Sequence, residues 1–359
     1  MWAMIVKEFR QLRRDRRTVA LLVFQPILML VVFGYAASFD VSEVPVNVFG
    51  PGAERVARVL PPPFEVQEVD EGADRADAES ALRDAEVPVA VVTSSTGTTV
   101  LLDGSELFIA QETKATLATL SDRVPEEIAG SVEVEVLFNP DLETSAIMIP
   151  GLAAMILLFV GSVITSLGVV RERQAGTLEQ LAVMPIRPVD VFLGKIAPYF
   201  VVAAVDMVIV VLAGMWLFDV PFEGSVFVFT LGALLFLFVT LGTGVLISSV
   251  SQNQGQAIQL ALIVLLPQVM LSGLIFPLSS MPAGVRWIGY VLPLTYFVDI
   301  ARGVMIRGAS FEALATSFLY LAIIGLVVFG LATLRFRGSL APARRRRETP
   351  ERTLEEALR

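Results

Sequence analysis

"AIMIPGLAAMILLFVGSVITSLGVV", Ala146 to Val170, runs for 25 residues without one charged side chain and then meets "RERQAGTLEQLAVMPIRPVDVFLGK", Arg171 to Lys195. A hydrocarbon core of roughly 30 Å needs about 20 consecutive apolar residues in helical form, so the first stretch reads as a membrane span. Runs of the same kind occur at Val19 to Ala37, Ile196 to Phe218, Val226 to Val250, Ala257 to Leu278 and Leu314 to Leu334. Six spans are therefore expected. The composition agrees: 55% of the 359 residues are hydrophobic and 18% charged, too apolar for one soluble globule.

Charge sets the expected orientation. Lys7, Arg10, Arg13, Arg14, Arg16 and Arg17 precede the first span, and Arg335, Arg337 and Arg344 to Arg347 follow the last, so both termini read as cytoplasmic. Between them, Ser38 to Ser145 holds 22 Asp and Glu against 6 Lys and Arg, and falls outside. The net charge of -9 resides there; it describes a solvated outer domain and implies neither a basic nor a nucleic-acid partner. A cleaved signal peptide ending near "YAASFD", Tyr35 to Asp40, is the rival reading of the N-terminus. The apolar run is longer than such signals carry, and the basic lead-in is itself patterned. Trp2, Ile5, Val6, Phe9 and Leu12 recur at helical spacing opposite the basic residues, as in an amphipathic interfacial helix; a plain positive-inside anchor is the simpler alternative.

The outer segment alternates in type. Strand-like runs at Val44 to Phe49, Phe64 to Val69, Val87 to Thr93, Thr98 to Leu102 and Val132 to Leu137 flank helix-like runs at Asp74 to Glu86 and Phe108 to Gly130. The expected fold is a polytopic α-helical membrane protein of six transmembrane helices, with a small α/β extracytoplasmic domain inserted between helices 1 and 2. Between the fifth and sixth spans, Met281 to Gly308 is apolar yet broken by Pro293 and carries Arg286, Asp299, Arg302 and Arg307. Neither half can cross alone, so it reads as a re-entrant or interfacial hairpin on the outer side, with three arginines placed against the positive-inside tendency.

Several chemistries are excluded. Cysteine and histidine are both absent, which removes thiol redox centres, Cys/His zinc sites and Ser-His-Asp triads together. No G-x-x-x-x-G-K-[ST] phosphate loop occurs, so no ATP site of that kind is expected on this chain.

The charged stretch after Val170 is locally well specified. Thr177 to Gln180 is a capping box, Pro185 stops the short helix that follows, and Pro188 sits where a first-turn proline opens a second one. Leu178, Leu181 and Ala182 form one apolar face. On physical grounds alone this is either a tight connection between two spans or a docking element for a cytoplasmic protein.

"RERQAGTLEQLAVMPIRPVDVFLGK" resembles the cytoplasmic loop of the ATP-binding-cassette type-2 (ABC-2) exporter permeases, whose pattern is E-R-x-x-G-T-L-E-x-L-x-x-x-P-I followed by Gly-Lys. Glu172, Arg173, Gly176, Thr177, Leu178, Glu179, Leu181, Pro185, Ile186, Gly194 and Lys195 match. "KEFRQLRRDRRT", "FGYAASFDVSEVPVNV" and "FNPDLETSAIMIPGL" resemble other parts of that family, and "PLTYFVDIAR" fits its late P-L-x-Y-x5-R element through Pro293, Leu294, Tyr296 and Arg302. The outer domain departs from the pattern: "GPGAERVARVL", Gly50 to Leu60, stands where members carry a D-x-D-x-S-like turn.

The resemblance implies a non-enzymatic permease that pairs with a second permease copy, identical or related, and with separate cytoplasmic ATPase subunits. ATP and magnesium would sit on those partners and no cofactor on this chain. Loop 171–195 would be the coupling loop, with the N-terminal helix beside it. The implied organisation is a cytoplasmic helix at 1–17, transmembrane helix 1 at 18–37, the extracytoplasmic domain at 38–145, a membrane domain at 146–334 including hairpin 281–308, and a cytoplasmic tail at 335–359. Arginine outnumbers lysine, in keeping with a GC-rich prokaryote and its plasma membrane.

Polar residues within spans are the candidate substrate pathway. Asp206 falls near the middle of the third span, where an ionisable group is costly. Gln259 and Gln268 lie on the fifth span, the latter beside Pro267. In the family the second and fifth spans meet at the dimer centre, which implies substrate contact there. Gly161, Ser162, Thr165 and Ser166 give the second span a small-residue face suited to close packing. A membrane-tethered sensor is the alternative class, but the 25 residues after Leu334 are too few for an output domain. An intramembrane hydrolase lacks a nucleophile-base pair.

Overall fold

The computed structural model describes residues 43–95, 97–121, 132–175 and 188–340. The expected N-terminal helix, the first span, residues 176–187 of the coupling loop and the end of the tail lie outside the described residues.

The first part is an α/β unit. Strands β1 (Val44–Phe49), β2 (Phe64–Asp70), β3 (Val89–Thr93), β4 (Thr98–Asp103) and β5 (Val132–Leu137) form one sheet in the order β2-β1-β3-β4-β5. β1 runs parallel to β2 and β3, β3 antiparallel to β4, and β4 parallel to β5. Central strands covered on both faces read as continuous apolar runs, as "VAVVT" does and as "VPVNVF" does but for the buried Asn47. On one face Ala53 of α1 (Ala53–Val59) and Ile109 and Ala110 of α3 (Leu107–Ser121) pack on Val46, Val48, Val91 and Leu102. On the other, Ala78, Ala81 and Leu82 of α2 (Arg75–Arg83) pack on Phe49, Ala90, Val92 and Leu101. Asp74 and Asp77 form the capping box that starts α2.

Helix α1 is an addition to the sequence reading. It occupies the stretch "GPGAERVARVL", where no helix was expected, because the turn before it needs glycine. A Cβ on Gly50, at φ +95, would lie 2.3 Å from the Thr93 carbonyl oxygen. The strand register places both chain connections of the unit at one end. Val46 pairs with Val89, Val89 with Leu102, and Asp103 with Leu137, so the start of β1 and the end of β5 both face the helical part.

Among the described residues, five helices are long and apolar enough to cross a membrane: Thr144–Gln174, Tyr199–Leu217, Val226–Val250, Gln254–Leu271 and Ala315–Arg335. They correspond to the second through sixth expected spans. The first is built from α4 (Thr144–Phe159), a π-helical turn at Val160–Ile164 and α5 (Thr165–Gln174). The others are α6 (Pro188–Leu217), α7 (Val226–Val250), α8 (Gln254–Leu271) and α11 (Ala315–Leu340). Pro188 stands first in α6, the position that a proline tolerates because its missing N–H would have no helical partner.

The small-residue face of the second span packs on α7. Ser162 donates to the Thr240 carbonyl at 3.2 Å, and a Cβ on Gly244 would lie 2.6 Å from the Ser162 carbonyl oxygen. The bundle core closes around Phe236 and Phe297, stacked with centroids 4.4 Å apart. α6 is largely unburied, presenting Val201, Val202, Val205, Val208, Ile209, Leu212 and Trp216 outward, as a lipid-facing helix does.

The fifth span is shorter than expected. It runs Gln254–Leu271 rather than Ala257 to Leu278, with Asn253 capping its start through the Gln256 amide at 2.9 Å. The chain leaves the helix at Gly273, φ +83, and turns at Leu278–Ser280, so the apolar stretch Leu274 to Leu278 is not part of the span. Hydropathy cannot separate these two cases. Residues 281–308 form a broken helix: Ala283–Gly289 (α9) and Pro293–Arg307 meet at 74°. The second limb is α10 (Pro293–Arg302) continued by a π turn at Gly303–Arg307.

Candidate functional site

The base of the charged loop is clamped to a neighbouring helix. Arg173, on the last turn of α5, donates through Nη1 to the carbonyls of Ser248 at 3.0 Å and Ser251 at 2.9 Å, at the C-terminal end of α7. The last carbonyls of a helix lack intrahelical partners and carry partial negative charge, so a guanidinium there both satisfies and neutralises them. Gln254 at the start of α8 donates to Gln174 at 3.2 Å. The end of the second span is thus tied to both helices of the next hairpin. Glu172 is half-buried beside this clamp. Gly176, Thr177, Leu178, Glu179, Leu181 and Pro185 lie outside the described residues.

A second clamp stands at the opposite end of the bundle. Pro293 is the first residue of α10, and Leu294 is buried against the core. Thr295 donates to the Gly289 carbonyl at 2.7 Å and the Tyr296 hydroxyl to the Tyr290 carbonyl, which satisfies the carbonyls freed where the broken helix bends. Arg302 is buried and donates to the Leu274 carbonyl at 3.0 Å and to Gly273 at 3.4 Å, just beyond the end of α8. The P-L-x-Y-x5-R pattern is therefore one device: it starts a helix, seals the kink before it and ties down the turn that follows the fifth span.

The intramembrane polar residues do not converge. Asp206 lies on α6, which packs on α4, the Val160–Ile164 π turn, α7 and α11, whereas Gln259 and Gln268 lie on α8, which packs on α4, that π turn, α5, α7, α9 and α10; the second span and α7 stand between them. Gln268 donates weakly to the Val264 carbonyl at 3.5 Å. One oxygen each of Asp206, Gln259 and Gln268 is buried with no hydrogen-bond partner among the described residues. Such groups are costly in an apolar surround.

The family model described as "ABC-2 family transporter protein" matches residues 16–334. The chain belongs to the ABC-2 transporter family. It is 27% identical over 366 residues to the probable multidrug ABC transporter permease YbhR of Escherichia coli K12, covering 94% of this chain and 98% of that one. It is 29% identical over 377 residues to the probable multidrug ABC transporter permease YbhS of the same strain, covering 94% and 97%. To the inner membrane transport permease YhhJ it is 38% identical over 213 residues, covering 58% of this chain and 56% of that one. The molecule is a multi-pass ABC-2 permease.

Sequence reasoning missed a third cluster of this permease. Arg302 and Arg307 looked misplaced on the outer side; both are buried, Arg307 against Asp103 and Asp299 and Arg302 within the field of Glu106. Arg307 lies 3.9 Å from Asp103 of the α/β unit and 3.1 Å from Asp299 of its own helix, and donates to the Ser105 hydroxyl at 3.1 Å. Asp299 in turn accepts from Ser317 of α11 at 2.6 Å. Arg286 is satisfied by the carbonyls of Ser279 and Met281. Burial pushes the Asp103 carboxyl above its ordinary range, opposed by Arg307 and by hydrogen bonds from Ser105. Burial likewise raises Glu106, against the pull of Arg302. The signal available in the sequence was the paradox itself: arginines on the disfavoured side of an acidic domain need buried partners.

Proposed function

We propose that this permease is the membrane subunit of an ABC-2 exporter, moving a drug, lipid or other small molecule outward on ATP hydrolysed by a separate cytoplasmic ATPase. The carrying observation is the Arg173 clamp at the base of the charged loop. A push delivered to the loop reaches the second, fourth and fifth spans together, because Arg173 and Gln174 tie them at that point. The names of YbhR and YbhS support a multidrug substrate range.

In this reading Thr177 to Met184 is the helix that docks on the ATPase, two permease copies pair as a homodimer or related heterodimer, and ATP and magnesium are held by the ATPase. The chain has six spans in a prokaryotic plasma (inner) membrane, with both termini cytoplasmic and the α/β unit outside. The unpartnered oxygens of Gln259 and Gln268 support a pathway along the fifth span, completed by substrate or by the second copy.

The chain contains no cysteine, so single cysteines at Glu179, Leu181 or Met184 can be crosslinked to the ATPase without background. Crosslinks at these positions are expected, and Leu181→Asp is expected to uncouple ATP hydrolysis from export while leaving the permease expressed. A loop that only connects two spans gives no crosslink at any of the three. Tags at Met1 and Arg359 are expected to be shielded in intact cells and one near Gly97 accessible; the reverse pattern refutes the orientation.

A further inference from the structure

Arg307 reaches its partners through a local departure from regular helix. The π turn Gly303–Arg307 adds a residue to the last turn of the broken helix and ends at Gly308, φ +63, with the Ala309 amide bonded back to the Gly303 carbonyl at 2.9 Å. π turns inside helices recur at functional sites, because they redirect side chains at a cost in helical hydrogen bonding. Here the redirected side chain is Arg307. A Cβ at Gly303 would lie 2.9 Å from Leu314 Cδ2 and 3.1 Å from Arg307 Nη2, so glycine leaves room for the guanidinium.

The guanidinium bridges three elements: Asp103 and Ser105 of the α/β unit, Asp299 of the broken helix and, through Asp299, Ser317 of the last span. Beside it, Asn139 donates to the Gly104 carbonyl and to the Glu143 carbonyl, both at 3.2 Å, fixing the segment that leads into the second span. Within the cluster, Arg307 and Asp103 are fully buried while Asp299 is partly exposed, and removing one partner of the buried pair is strongly destabilising.

We propose that Arg307 is a positioning residue for transport, locking the α/β unit onto the broken helix so that the two move as one body. The inference rests on the permease reading and assigns the unit a mechanical role: a tilt of the broken helix, which Arg302 clamps to the end of the fifth span, is carried outward into the sheet.

The test uses the purified full chain without substrate or ATPase, so its failure is distinct from failure of the exporter reading. Spin labels go on cysteines at Ser80, exposed on α2, and Gly284 on α9, where an added side chain meets nothing within 4 Å. Labelled chain is diluted with unlabelled chain, and distances are read by double electron-electron resonance. One narrow distance is expected in the otherwise unaltered protein, a broad or split distribution in Arg307→Gln, and a return to one narrow distance in Arg307→Lys. Asp103→Asn approaches the lock from the other side and is expected to broaden the distribution as well. A broad distribution before any change at Arg307 overturns the proposal, as does a narrow one in both Arg307→Gln and Asp103→Asn. Arg307→Lys as broad as Arg307→Gln overturns the assignment to charge.

Discussion

One nitrogen of Arg173 is shared between the carbonyls of Ser248 and Ser251, so a residue of the family's loop motif serves as the C-terminal cap of a different span. Arg302 repeats the arrangement at the other end of the bundle, on Gly273 and Leu274 beyond the fifth span. Each motif arginine thus belongs to one element and completes another, which explains why the motifs can be short while the contacts they make are distant.

Arg173→Met keeps an unbranched apolar stem and removes both charge-assisted hydrogen bonds. A hydrogen bond to a charged group contributes about 1.5 to 3 kcal/mol, so a loss of about 2 kcal/mol in stability is expected, with ATP hydrolysis by the complex no longer matched by transport. Unchanged thermal stability in detergent together with unchanged transport would remove the clamp from the mechanism.

Gly244→Ala forces a methyl to within 2.6 Å of the Ser162 carbonyl oxygen and 2.9 Å of Thr165 Cβ. The second and fourth spans must separate, at a cost of about 1 to 3 kcal/mol for overpacking. Gly330→Ala, where an added Cβ meets nothing within 4 Å, is the control and should be silent. Equal melting temperatures for the two variants would sink this account of the packing.

Asp206→Asn is expected to leave the permease folded, because one oxygen of that carboxyl already lacks a partner among the described residues. Transport should change in rate or in pH dependence if Asp206 takes part in the pathway. A transport profile identical to the unaltered protein at every pH would return it to a structural role.

Burial raises the folded-state values of Asp103 and Glu106 above their ordinary 3.8 and 4.5. Above those ordinary values the unfolded chain has released the two protons while the folded chain still holds them. Stability from these groups therefore falls as pH rises through the window that starts there, and is regained on acidification. The groups facing Glu106 are Arg302, Arg307, Asp103 and Asp299, so Glu106→Gln should flatten the dependence without removing it. Melting curves across pH check the sign; parallel curves for the two proteins would refute the role of Glu106.

Much of the architecture was legible because it depends on period and length. The apolar runs behind α4–α5, α6, α7 and α11, and the short strand-like runs behind β1 to β5, are set by period and length, so helix or strand follows locally. The same logic failed at the end of the fifth span and at α1. An apolar turn around Gly273 scores like a helix, and a short helix after Gly50 depends on a close approach to Thr93 that no local pattern records.

By itself, then, the amino-acid sequence determined the class of this protein, the number and place of its apolar runs, the absence of a phosphate loop of its own and the loop motif of its family. Tertiary structure decided which carbonyls Arg173 and Arg302 cap and where the charge of Arg307 goes. Arg307 and Ser105 are 202 positions apart, and only the folding of the α/β unit onto the broken helix brings them to 3.1 Å. The physical reason is range: hydrophobic period acts over one turn or two, whereas a buried charge is satisfied by whatever the whole fold carries to it.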